Sequence, residues 1–516
     1  MNRTLIALVG SVALLLACIV MLSDRGSRSA VASRSADRSD TPVVLFCAAS
    51  NRAVMEAIRA EYEQEFGRSV QVQYGASQTL LSSIEISGAG DLYLPADDTY
   101  ITLGREKSLI AEVLPLATMN AVIAVRKGNP KAIKSFSDLL RPDVRIVQAE
   151  PEGTAIGKVV RDTLREAGLW DRISQATIAN RTTVNDVAND VVLGSADAGF
   201  VYDAVLHNYP DLEAISISEL ATVTSLVSIG VVASTKHPQA ALHFARYAAA
   251  KDRGLMHYAE YGFRAAKGDI WEDTPELTFY AGSMLRPAID DTIKEFEERE
   301  GVRVSRVYNG CGILVAQMKA GQHPDAYFAC DTEFMKQVPD LFPEPIDVSR
   351  NEFVILVQKG NPHKIASLKD LAKEGLRVGI GHEKQCAMGW LTQNTFREGG
   401  VQAEVMANVS VQTPSGDMLV NQLQTGSLDA AVAYLSNAAG AADFLDAIVI
   451  QGLPCSIATQ PLALAPDSPR AQTASRLFQR LFSDESQEDF EAEGFRWQWM
   501  SDQDQNAVSL DAKPAG

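Results

Sequence analysis

Basic residues are in deficit along this 516-residue sequence: 47 Lys and Arg stand against 65 Asp and Glu, a formal charge of −18. That deficit argues against nucleic acid and against anionic membrane surfaces as partners. It leaves an anionic ligand open, because a closed site holds an anion with hydrogen bonds alone. Histidine is scarce, with seven scattered residues, and no HExxH, GxSxG or phosphate-cradling glycine loop occurs. Ser50, at the end of an apolar run, has no recognisable base partner. These absences point away from an enzyme and toward a binding protein that requires no cofactor. What is present, 46% hydrophobic and 22% charged residues without a low-complexity body, is a globular composition in a chain too long for one core.

Leu5–Leu22 is an uncharged run behind Arg3, between a signal-peptide core and a membrane span in length. Leu15-Leu16-Ala17-Cys18 resembles a bacterial lipobox, and Ala30-Val31-Ala32 offers a small-residue cleavage site. A retained anchor, a lipidated Cys18 and a cleaved leader all export the rest of the chain. Residues 1–40 therefore read as a signal or membrane anchor followed by a Ser/Arg/Asp tether. The expected location is periplasmic or otherwise extracytoplasmic, anchored to the cytoplasmic membrane. Beyond Cys18 the cysteines number five, Cys47, Cys311, Cys330, Cys386 and Cys455, so at least one stays unpaired within the chain. Cys47, inside VVLFCAAS, reads as a buried core thiol.

The chain is one unit written twice. VLFCAAS (44–50) matches LTFYAGS (277–283), and DLYLPAD (91–97) matches DAYFACD (325–331). KGNPKAIKSFSDLL (127–140) matches KGNPHKIASLKDLA (359–372), and GSADAGFVY (194–202) matches GSLDAAVAY (426–434). The predicted units are 41–268 and 274–502, with a tail at 503–516. Within each, apolar strands alternate with helices. After VVLF, Ser50 can cap a helix carrying Val54, Met55, Ile58, Tyr62 and Phe66 at helical spacing, which Gly67 ends. VQVQY (70–74) alternates like a strand, and Ser77 can cap a second helix with Leu80, Leu81 and Ile84 inward. The expected fold is α/β: two tandem domains, each of two lobes with a mostly parallel sheet and right-handed crossovers. Ligands of such sheets bind beyond the carboxyl ends of the strands, where helix N-termini aim their amides.

FCAASNRAV…EYEQEFG, YGASQTLLSSI, DLYLPAD, the Lys-Gly-Asn-Pro turn, ADAGFVYDA and a closing YGF, in that order, resemble the periplasmic molybdate/tungstate-binding proteins of ABC importers. The resemblance spans 41–268 and again 274–502. It implies a cleft that clamps a tetrahedral oxyanion with two serines, backbone amides and one tyrosine, and delivery to an ABC permease. Carried over residue by residue, the serines fall on Ser50 and Ser77, and the tyrosine on Tyr202. The amides fall on Ala155 and Ile156, in a loop lacking the family's Pro-Ala-Gly, and on Val184. Sulfate or phosphate remain open as related ligands.

The second copy departs from the pattern. Ser283 and Tyr434 keep the first serine and the tyrosine, but Cys311 in YNGCG replaces the second serine, and a thiol is a weak donor. Cys330 and Cys386 fall on the same predicted rim, with His382 four residues before Cys386. Three readings stay open: a Cys311–Cys330 disulfide, packed thiols, or a soft-metal site built from Cys311, Cys330, Cys386 and His382. A tandem extracytoplasmic sensor or a metal-binding protein is the alternative to an import receptor.

Overall fold

The computed structural model describes residues 41–498. The anchor, tether and tail readings, and residues 499–502 of the second unit, lie outside the described residues. Among the described residues no helix is long and apolar enough to cross a membrane.

In the first copy the strands are β1 (Val43–Ala48), β2 (Val70–Gly75), β3 (Leu92–Leu94), β4 (Ile110–Arg126), β5 (Ile146–Ala149), β6 (Thr177–Arg181), β7 (Ala198–Tyr202), β8 (Leu212–Ile215), β9 (Thr224–Val232) and the short β10 (Arg264–Ala265), which pairs with β4. Their order, β2-β1-β3-β9-β4-β7-β5-β6, holds two lobes. β1 pairs in parallel with β2 and β3, and β5 in parallel with β6 and β7. Strands such as VVLFCA are apolar on both faces because helices cover both sides of a parallel sheet.

What joins the lobes is antiparallel. The 17-residue β4 pairs with β9 as far as Asn120, and from Ala121 onward with β7 and β8. One strand therefore serves both sheets, and the lobes meet at residues 120–121. Tyr202, the last residue of β7, pairs with Ala121 at that junction. The helix Arg52–Phe66 ends where Gly67 turns to φ 67° and donates to the Glu63 carbonyl.

The second copy repeats this order, with the crossing strand Ile346–Gln358 switching partners at Phe353, which pairs with Tyr434. Each copy has its own core, one running from Val43 to Phe263 and the other from Leu277 to Phe495. Cys47 lies fully buried in the first, and burial pushes its thiol up.

The copies are held together by charge as well as packing. Glu300, 1% exposed, takes a two-pronged bond from Arg476 at 2.7 and 3.0 Å, and Arg246 of the first copy lies 3.5 Å from the same carboxylate. Beside it the connector's Asp269 accepts from the Gln472 and Thr473 amides at 2.8 and 2.9 Å. It thereby caps the helix Ala471–Leu481, whose own N-cap Arg470 makes no side-chain cap. A buried carboxylate between two guanidiniums is costly to remove, because both cations then lose their compensation. Glu300→Gln should destabilise the protein by about 3–5 kcal/mol in urea unfolding. A loss below about 1 kcal/mol, the scale of an exposed pair, would mean that the triad does not hold the copies together.

Candidate functional site

A recess of about 260 Å³ of empty space, open solvent included, lies between the lobes of the first copy. Ser50, Ser77, Ala155, Ile156, Val184 and Tyr202 all line it, with Thr154 and Thr183 among their neighbours. No Asp, Glu, Lys, Arg or His lines it.

Neither serine caps a helix. Ser50 sits in a 3₁₀ turn, Ala49–Asn51, ahead of the helix that begins at Arg52. Ser77 is the first residue of its helix, and Ala76 is the N-cap. The capping expected from sequence is thus replaced by another arrangement, in which each hydroxyl oxygen accepts a bond from the protein. Asn51 Nδ2 donates to Ser50 Oγ at 3.2 Å, and the Ala96 amide donates to Ser77 Oγ at 3.1 Å. Tyr202 Oη likewise accepts from Ser225 Oγ at 3.2 Å. A hydroxyl has one proton to give, so all three protons stay available to a ligand. Burial pushes the Tyr202 phenol well above its usual range, which keeps it a donor. Asn51 is itself oriented by Tyr258, whose hydroxyl donates to its Oδ1 at 3.3 Å.

The backbone donors come from helix starts. Ala155 and Ile156 open the helix Ala155–Glu166, and Val184 opens Val184–Leu193. Thr154 and Thr183 cap these helices by accepting from the Gly157 and Asp186 amides. The first amides of a helix have no intrahelical acceptor and carry its positive end, so they can face an anion. The lobes touch across the recess: the Gln78 amide donates to the Gly153 carbonyl at 3.3 Å, and Asn185 Nδ2 to the Ala49 carbonyl at 3.2 Å. Asn51, Ser225 and the Ala96 amide escape sequence reasoning because each acts on a residue brought to it by the fold or by an unremarkable neighbour.

The second recess has the same size, about 260 Å³, and different walls. Ser283 and Tyr434 line it, with Met284, Cys330, Cys386, Met388 and Gly416. Cys311 and Cys330 form a disulfide, with Cα atoms 6.4 Å apart. This decides among the three readings left open and corrects the metal one, since neither sulfur is available as a thiolate ligand. His382 does not line the recess, and its Nδ1 accepts from the Lys384 amide at 3.3 Å. Among the described residues no group of three or more His, Cys, Asp or Glu is placed to hold a metal. Cys386 is a free buried thiol, pushed up to about 11 by burial.

Three further exchanges accompany the disulfide. Gly282 stands where the first copy has Ala49, and a Cβ there would sit 2.1 Å from Cys330 Sγ. Met284 replaces Asn51, so Ser283 loses the amide that orients Ser50. Ala458 replaces Ser225, as the strand registers align them, and the buried Tyr434 hydroxyl has no partner among the described residues. The glycines of YNGCG allow close closure: a Cβ on Gly310 or Gly312 would sit 2.4 Å from the Gln385 carbonyl or 2.2 Å from that of Lys384.

Several known binding proteins are similar to one copy at a time. A molybdate-binding protein of Mycobacterium tuberculosis is 29% identical over 224 residues, 42% of this chain and 82% of that one. Among solved structures, the periplasmic molybdate-binding protein of Azotobacter vinelandii covers 43% of this chain and 98% of its own, at 16% identity and a TM-score of 0.38. The sulfate-binding protein SubI of M. tuberculosis covers 46% and 90%, also at 16% identity and a TM-score of 0.38. The family model described as bacterial extracellular solute-binding protein matches twice, at residues 43–264 and 277–496. The chain thus belongs to the bacterial extracellular solute-binding proteins, as a tandem pair of their binding domain.

Proposed function

We propose that the first copy captures a tetrahedral oxyanion, molybdate or tungstate, outside the cytoplasm and delivers it to an ABC permease. The observation that carries this reading is the set of three hydroxyls, Ser50, Ser77 and Tyr202, each already accepting a bond and each with its proton unspent. With the amides of Ala155, Ile156 and Val184 they surround a recess that no charged side chain lines. Such a set suits a small dianion, whose oxygens accept and never donate. Binding across the two lobes favours their closed arrangement, because only there do both sets of donors reach one ligand. Residues 1–40 would tether the protein to the membrane beside the permease. The molybdate-binding relative supports the choice of ligand, and sulfate, a smaller dianion of the same shape, is the control.

Calorimetry on the intact protein should give one molybdate per chain. Ser77→Ala should weaken that binding by about 1–3 kcal/mol, the cost of leaving a buried acceptor unmet. An unchanged affinity would remove Ser77 from the site. Because the donors are hydroxyls and amides rather than imidazole or thiol, affinity should vary less than about twofold between roughly pH 6.5 and 9. A sigmoid loss within that window would assign the binding to a titrating group instead.

A further inference from the structure

The second cleft keeps the backbone half of the first. The helices Ala387–Glu398 and Gly416–Gln424 begin at the recess as their counterparts Ala155–Glu166 and Val184–Leu193 do in the first copy, and no charged side chain lines it. Asp417 stands in the first turn of the second of these helices but does not line the recess and accepts from Asn437 instead. Positive helix ends facing an uncharged lining suit an anion better than a cation. The Tyr434 hydroxyl is an independent sign of a ligand. It is 2% exposed, lines the recess and has no hydrogen-bond partner among the described residues, and a buried orphan of this kind calls for a group to meet it.

The other half has changed its chemistry. Where Ser77 offers a proton in the first copy, Cys311 is tied into a disulfide and has none to give. Cys330 stands for Ala96, Met284 for Asn51, Cys386 for Thr154 and Met388 for Ile156, and all four line the recess. Sulfur in thioether or disulfide form is a weak acceptor and a polarisable apolar surface. Asn309 and Ser415 line the recess as well, so polar donors remain on one side. An oxygen of a symmetric oxyanion turned toward Cys330 and the methionines would meet sulfur in place of a hydroxyl. The recess is of similar size in both copies, about 260 Å³ with open solvent included, which leaves room for a small ligand in each.

From these observations we propose that the second cleft binds a small tetrahedral oxyanion in which one oxygen is replaced by a substituent that accepts weakly or not at all, sulfur or carbon. Its oxygens meet Ser283, Tyr434 and the helix amides, and its substituent rests against Cys330 and the two methionines. The proposal rests on reading the first cleft as an oxyanion site. The two clefts would thus share a mode of capture and divide the ligands between symmetric and substituted anions.

The test is calorimetry on the intact, non-reduced protein with methanesulfonate, thiosulfate, sulfate and molybdate, repeated on Tyr434→Phe and on Tyr202→Phe. Methanesulfonate or thiosulfate should bind at one site per chain, at least tenfold tighter than sulfate does there. That binding should fall in Tyr434→Phe and persist in Tyr202→Phe. Thermal unfolding of each variant near the wild-type midpoint keeps a misfolded variant from being read as lost binding. Sulfate or molybdate bound equally well at the Tyr434-dependent site would overturn the proposal, as would neither substituted anion binding there. Molybdate binding that depends on Tyr202 is read separately, so failure of the second-cleft proposal and failure of the first-cleft reading give different results.

Discussion

A small anion in a recess without cations is held only by donors that have nothing else to do with their protons. On the proposed reading, the first copy meets that constraint with hydroxyls that keep their protons free. Ser50, Ser77 and Tyr202 each receive a bond from behind, from Asn51, Ala96 and Ser225, and so are oriented without being used up. The threonines at the two helix starts take the third amide of each helix, and Ala155, Ile156 and Val184, ahead of those amides, line the recess. Had the serines capped their helices in the usual way, they would still have accepted bonds, but their geometry would have been set by the helix rather than by the cleft.

On the same reading, the way the lobes are joined serves this constraint. Donors on both sides of one ligand require two sheets that share a boundary, and β4 supplies it by changing partners at residues 120–121. Tyr202 ends its strand at that boundary, where it can serve the recess from the hinge side. The Gln78–Gly153 contact bridges the lobes in the first copy, and Gly312–Gln385 does so in the second.

Duplication released the second copy from this arrangement. Its fold persists, while the support behind two hydroxyls is gone, Met284 for Asn51 and Ala458 for Ser225. At the third position the amide still donates, from Cys330 to Cys311 Sγ at 3.0 Å, but a disulfide sulfur has replaced the hydroxyl. Gly282 shows that the change is coordinated, since the alanine of the first copy would collide with Cys330. The Arg246–Glu300–Arg476 triad holds the two copies as neighbours while their clefts differ.

Much of this organisation is legible in the sequence by itself. Repetition reveals the two units, apolar alternation reveals the strands and helices, and the order of motifs brings Ser50, Ser77, Ala155, Ile156, Val184 and Tyr202 together as a candidate set, which the fold places around one recess. Periodicity is local, and a duplication is visible without coordinates. The fold alone decided what each hydroxyl does with its lone pairs, because Ala96 and Ser225 lie 19 and 23 residues from their partners and meet them only through strand pairing. It also decided between disulfide and metal for the cysteines, since that depends on Cα separation and on which way His382 faces. The buried charge triad was equally hidden: Glu300 and Arg476 are 176 residues apart, and nothing in either neighbourhood marks them as partners. Composition and pattern determine which elements form, whereas hydrogen bonding between distant residues exists only once those elements are packed.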